Sequence, residues 1–291
     1  MPDWMNRQTE LAAFAARQLF FIGGAPRSGT TWLQQILDAH PEVSCQGEGL
    51  FWKHLAVPME NMMAARRQAL VEKNTAIFQH TGGYKLPGDE DTEHLIGTAI
   101  LLALQRQCAG KTCKAIGEKT PENVFFFPRL KQLFPGAKFI GLMRDPRDVL
   151  ASAWHFFRAG GAEDDAAKFA FIQSALPSLN AGTRQILALA QEFPSDSAVV
   201  TYEGLRTSPA PIIASLFRLI GVADDEEVVQ NCLTQTAFAT QTSGRAAGST
   251  SNGAFLRSGV AGTWRTTISP AMNELILHEL NWMFPHFGWD A

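Results

Sequence analysis

Residues 19–43 read LFFIGGAPRSGTTWLQQILDAHPEV: an apolar run, a turn holding Gly24, Arg27 and Gly29, and then a helical pattern. The run predicts a buried strand over Leu19–Gly24, and the pattern after it predicts a helix over Thr30–Ala39. Gly24 and Gly29 are separated by four residues and followed by Thr30 and Thr31, the strand, glycine turn and helix order of a P-loop. Backbone N–H groups at such a helix start point at an anion, and the helix dipole adds to the attraction. The lysine that a nucleotide-hydrolysing P-loop carries after its second glycine is replaced by Thr30, and the cation of the turn is Arg27. Glycines that merely permit a tight turn would explain the spacing alone; the buried strand before it and the RSGTTW run after it favour an anion.

Working outward, further strands are predicted at Thr112–Gly117, Lys138–Met143 and Ala198–Tyr202. Helices are expected at Phe127–Leu133, Arg147–Phe157 and Pro211–Ile220, and a last one at Pro270–Met283. Strands alternating with helices define an α/β protein, with a P-loop-like central parallel sheet flanked by helices. The first twenty residues read as an amphipathic helix. Residues 58–107 and 162–193 are largely helical insertions of the kind that wall or cover a site. Residues 240–257, TQTSGRAAGSTSNGAFLR, read as a loop. With no internal repeat or linker, residues 1–291 are expected to form one domain.

Composition narrows the partners. A net charge of −3 and a pI near 6.2 give no basic excess with which to coat nucleic acid, so any anion site must be local. The four cysteines, Cys45, Cys108, Cys113 and Cys232, lack zinc-site spacing and suit a reducing compartment. No stretch is long and apolar enough to span a bilayer or serve as a signal sequence, so a cytoplasmic protein without a membrane span is expected.

A second anion motif follows. Residues 138–157, KFIGLMRDPRDVLASAWHFF, form a strand ending in Arg144 and a helix opening with Asp145 and Pro146. Ser152 lies about two helical turns beyond Arg144, where a hydroxyl can face the same phosphate as the guanidinium. Arg147 and Asp148 are assigned to the helix cap and to surface ion pairs.

With both motifs in view, the chain resembles the sulfotransferases that use 3′-phosphoadenosine 5′-phosphosulfate (PAPS). APRSGTTW, residues 25–32, is similar to their 5′-phosphosulfate loop, and LMRDPRDVLASAWHFF, residues 142–157, to their 3′-phosphate motif. FLRSGVAGTWRTTIS, residues 255–269, is similar to the RKGxxGxW segment with which cytosolic members cover the nucleotide, Ser258 standing in place of a lysine. The resemblance implies PAPS as cosubstrate, without a metal. It implies nucleotide contacts from Arg27, Ser28, Gly29, Thr30, Thr31 and Trp32, from Arg144, Ser152 and Tyr202, and from Arg257, Ser258 and Gly259.

Sulfuryl transfer needs an activated acceptor hydroxyl, positive charge on the oxygens of the transferring group, and in-line placement. Arg27 stands where most cytosolic members have a lysine, and its permanent charge suits an electrostatic role. The arginine form of the loop resembles the tyrosylprotein sulfotransferases and bacterial relatives. In those the base is a downstream glutamate, a position that Glu48 fills, with partial burial near Phe51 and Trp52 expected to aid it. Lys119 matches a second family cation, its competing role being a surface pair with Glu118 or Glu122. The cytosolic branch's histidine base has no counterpart, because Pro121 holds that position, and His40 and His155 are expected to be structural. Thr120 and Asn123 are expected only to fix a loop. The acceptor is expected to be a small alcohol, phenol or sugar. A P-loop kinase-like phosphotransferase and an inactive nucleotide-binding scaffold are the competing readings, the former weakened by Thr30 in the lysine position.

Overall fold

The computed structural model describes residues 3–108, 110–157, 164–237 and 260–290. The predicted loop 240–257, and with it Arg257, Ser258 and Gly259, lies outside the described residues. A five-stranded, all-parallel sheet has the order β2-β3-β1-β4-β5. The strands are β1 (Gln18–Gly24), β2 (Val43–Cys45), β3 (Ala115–Lys119), β4 (Lys138–Met143) and β5 (Ser197–Thr201). The chain fills one side of β1 with β2 and β3, then crosses to the other side for β4 and β5. Ligands of open α/β sheets bind at the carboxyl ends of the strands beside such a crossing.

Alternation along β1 builds both faces of the sheet. Phe20 and Ile22 pack with Leu33, Ile36, Val200 and Phe217 on one side. Phe21 packs with Ile116, Phe127, Phe139 and Ile186 on the other. Helix α2 (Thr30–Asp38) leaves β1 as expected, and α1 (Trp4–Ala15) buries Leu11 and Phe14. The two insertions are helical: α3 (Val57–Ala76) and α4 (Asp89–Gln107), then, beyond α6 (Pro146–Phe157), α7 (Asp165–Glu192), which runs unbroken through Pro177. Arg129, on α5 (Asn123–Leu133), joins α3 and α4 by pairing with Glu60 and Glu93.

Several predicted boundaries move. β3 begins at Ala115 and runs on to Lys119, because Gly117 is not its end but the point where the buried Phe20 ring lies against the backbone, 2.1 Å from where a Cβ would stand. This shift places Glu118 and Lys119 inside the strand. β2, three residues long, carries too short a pattern to be read. α5 starts at Asn123 rather than Phe127, and Pro128 sits inside it. Tyr202 is not the end of β5 but the first residue of α8 (Tyr202–Thr207), where the Thr201 hydroxyl caps by accepting from the Gly204 N–H at 3.1 Å. α9 (Pro209–Leu219) starts two residues earlier than predicted. The last predicted helix divides into Pro270–Glu279 and Met283–Phe287.

His40 is structural, as expected. Its Nδ1 accepts from the Glu42 N–H at 3.0 Å, so Nε2 is the nitrogen that donates to the Ala223 carbonyl at 2.9 Å. The ring stands edge-on to Phe217 with centroids 4.6 Å apart. Cys45, Cys108, Cys113 and Cys232 are free and buried, and burial pushes the Cys108 thiol up to about 11.

Burial holds the His40 pKa below its ordinary 6.5. Below that pH the unfolded chain takes up a proton that folded His40 refuses, so stability should fall as the pH drops through the window and recover above it. Urea midpoints measured between about pH 5 and 8 should show this slope, and His40→Gln should flatten it. An unchanged slope in the variant would contradict the assignment.

Candidate active site

The carboxyl ends of β1, β3 and β4 converge on the turn between β1 and α2. Gly24 closes β1 so near its neighbour that a Cβ would lie 2.5 Å from the Leu142 carbonyl oxygen. Arg27 and Gly29 both adopt positive φ, 72° and 103°, and a Cβ on Gly29 would meet the Tyr202 ring at 2.7 Å. The turn therefore lies tight against β4 and α8, and α2 opens without a side-chain cap. The Ser28 hydroxyl, inside the turn, is buried and lacks a hydrogen-bond partner. Open helix N–H groups beside an unsatisfied buried hydroxyl form a concavity suited to an oxyanion.

Two sets of side chains gather around it. In the first, the Arg27 Nε–H donates to the Ser152 hydroxyl at 3.4 Å, and its guanidinium lies 4.4 Å from the centre of the Phe156 ring. Ser152 thus meets the turn's arginine, although Arg144 was its expected companion. Arg144 donates to the Arg27 carbonyl and to the Val260 carbonyl, each at 3.1 Å, and lies 4.3 Å from the centre of the Tyr202 ring. Its Nε is buried and unpartnered. Trp32 stands edge-on to Tyr202 at 5.8 Å, half-buried against the core. The two predicted phosphate motifs therefore share one surface.

In the second set, Lys119, only 2% exposed, donates to the Thr31 hydroxyl at 3.1 Å and pairs with the Glu48 carboxylate. Lys119 pairs with neither Glu118, which leaves β3 on the opposite face, nor Glu122, which lies beyond the strand. The Glu48 side chain is 41% exposed. Phe51 turns into the core, and Trp52 opens a π-helical turn, Trp52–Ala56, packed on Phe126. The contact that distinguishes Glu48 is its ion pair with Lys119.

Glu118 lies opposite, 2% exposed. It accepts from the Gly49 N–H at 2.7 Å and the Thr120 hydroxyl at 2.5 Å on one oxygen, and from the Asn123 amide at 2.6 Å on the other. Burial lifts its pKa above the ordinary carboxylate value, and these donors oppose the rise. Pro121, in the position of the absent histidine, accepts from the Gly24 N–H through its carbonyl at 3.0 Å.

The surface role predicted for Arg147 and Asp148 is wrong. Both are buried, at 2% and 1% exposure. Asp148 accepts from the N–H groups of Gly262 and Trp264 at 2.6 and 3.0 Å and from the Thr263 hydroxyl at 3.1 Å, and lies 3.6 Å from Arg144. Arg147 pairs with Asp145 and stacks on Trp264 at 4.0 Å. The segment after residue 259 supplies these partners, which local charge spacing cannot reveal. Its resemblance to a covering segment was the available signal. His155 faces the Thr267 hydroxyl at 3.3 Å. Among the described residues there is no group of three or more metal-ligating side chains, and no helix is long and apolar enough to cross a membrane.

Residues 20–226 match the sulfotransferase family, and the chain belongs to that family. Protein-tyrosine sulfotransferase 2 of Gallus gallus is 33% identical over 133 residues, covering 44% of this chain and 32% of its own length. The chain spans less than half the length of the curated relatives it matches. The sulfotransferase domain of the Synechococcus PCC 7002 olefin synthase superposes with a TM-score of 0.57 at 20% identity, over 94% of this chain and 95% of that one. A mouse sulfotransferase complexed with PAP gives 0.56 at 15% identity, over 96% and 90%. At these identities the likeness is one of fold.

Replacing Asp148 with Ala leaves Arg144 and three donors without their buried acceptor. The variant should lose about 3–5 kcal/mol of unfolding free energy, the usual cost of removing one member of a buried pair. Urea unfolding measures this, and a loss below about 1 kcal/mol, typical of surface pairs, would return Asp148 to the surface role.

Proposed function

We propose that the protein transfers a sulfuryl group from PAPS to an acceptor hydroxyl, with Glu48 as general base and Arg27 and Lys119 as the cations that stabilise the transition state. The observation that carries this reading is the meeting of Lys119, Thr31 and Glu48 at the mouth of the glycine turn. A buried ammonium there lies between an anion cradle and a carboxylate open to an incoming acceptor.

The donor's phosphates fit what the chain leaves unsatisfied. Ser28 Oγ, the uncapped start of α2 and Arg27 suit the 5′ end. The buried, unpartnered Arg144 Nε suits the 3′-phosphate, and Ser152, held by Arg27, is assigned to it by the family resemblance. Trp32, half-buried beside Tyr202, offers aromatic surface to the adenine. Arg257, Ser258 and Gly259 join this set through the family resemblance alone. Structural neighbours add support, since several are complexes with PAP.

In this reading PAPS supplies the activated sulfuryl group, and the protein supplies charge and position. Glu48 accepts the acceptor's proton. Lys119 and Arg27 hold positive charge against the oxygens on which negative charge accumulates, and fixed donors of this kind act without reorganising during the reaction. Leu50 and Trp52, shortly after Glu48 in the chain, expose apolar surface, which suits a hydroxyl carried on an apolar or aromatic body. The relatives named for protein tyrosine support a phenolic acceptor.

Turnover with labelled PAPS and a panel of phenols, alcohols and sugars tests the reading. Wild-type protein should label at least one of them, and Glu48→Gln should lower kcat by roughly a hundredfold or more, the scale of general-base catalysis. A Glu48→Gln variant as fast as wild type would sink the base assignment, and no transfer to any acceptor would favour the scaffold.

A further inference from the structure

A strand's alternation puts consecutive side chains on opposite faces, and at the end of β3 the loop bearing Glu48 receives both. Lys119 takes hold of the Glu48 carboxylate. Glu118 takes hold of the backbone directly after it, through the Gly49 N–H, and reaches Leu50 through Thr120, whose hydroxyl accepts from the Leu50 N–H at 3.2 Å. Asn123 fixes the other Glu118 oxygen and also donates to the Ile22 carbonyl of β1 at 3.1 Å. The loop is thereby tied to the strand that carries the glycine turn. Leu50 has φ +51°, a conformation that strains a non-glycine residue and persists only where its surroundings hold it.

We infer that Glu118 is a positioning residue for sulfuryl transfer, which fixes the Glu48 carboxylate relative to the glycine turn by clamping the backbone of Gly49 and Leu50. The inference rests on the reading of Glu48 as base. Glu118 touches neither donor nor acceptor in this account. Every group around its carboxylate is a donor, so an acceptor-only side chain is required. Glutamine there turns an N–H group toward other N–H or O–H groups and releases part of the clamp.

Hydrogen exchange and kinetics on Glu118→Gln test it together. Exchange at the Gly49 and Leu50 amides should quicken at least roughly tenfold, with amides of the Ala25–Thr31 turn unchanged. The variant's kcat should fall by roughly tenfold to a hundredfold, the scale of a misplaced catalytic group, with the affinity for adenosine 3′,5′-bisphosphate within about twofold of wild type. In the Glu48→Gln background the same change should cost less than about twofold more, because Glu118 acts through Glu48. A wild-type kcat, or an equal loss in both backgrounds, would overturn the inference while leaving the function standing. If Glu48→Gln itself keeps wild-type turnover, the base assignment fails and this role with it, whereas the exchange result still decides whether Glu118 clamps the loop. Should Glu118→Gln fail to fold, Thr120→Val, which removes only the bridge to Leu50, is held to the same criteria.

Discussion

Everything in the site depends on how closely the first glycine turn is pressed into the sheet. Gly24 sits against the Leu142 carbonyl, and Gly29 sits against the Tyr202 ring with φ +103°. A side chain at either position would force β1 and α2 away from β4 and α8. With hydrogen there instead, α2 starts at the sheet surface with its N–H groups open, and the Arg144 guanidinium reaches the Arg27 carbonyl. The anion cradle follows from this packing, and Arg27 is held at its positive φ by it.

The cations around that cradle are kept in place by different means. Arg144 is bound to backbone carbonyls, to Asp148 and to an aromatic face, so its direction is set before any ligand arrives. Lys119 is buried, and its charge is balanced by Glu48. The carboxylate that makes the burial of Lys119 tolerable is the one proposed as general base. In that proposal pairing and catalysis draw on the same two side chains, and the loop carrying Glu48 must be as well fixed as the strand carrying Lys119.

Much of this was legible in the sequence because it is local. The strand Lys138–Met143 has the predicted bounds, and the Gly24 to Thr31 spacing places α2 correctly. Arg144 meets Arg27 at the turn, and Glu48 pairs with Lys119 beside Thr31. What escaped is nonlocal. RDPRD reads as an exposed charged cap until Gly262 to Trp264 arrive from more than a hundred residues away to bury Asp148. Glu118 reads as a surface partner for Lys119 because Gly117 looked like the strand's end, whereas that glycine makes room for Phe20 and the strand continues.

The proposed anion site has two ends, one at the glycine turn and the other at Arg144. Calorimetric titration with adenosine 3′,5′-bisphosphate and with adenosine 5′-monophosphate tests this, in wild type and in Arg144→Ala. Wild type should prefer the bisphosphate by roughly tenfold or more, as a charge-assisted contact of about 1.5–3 kcal/mol requires, and Arg144→Ala should erase the preference. Equal affinity for the two nucleotides in wild type, or a preference that survives Arg144→Ala, would contradict it.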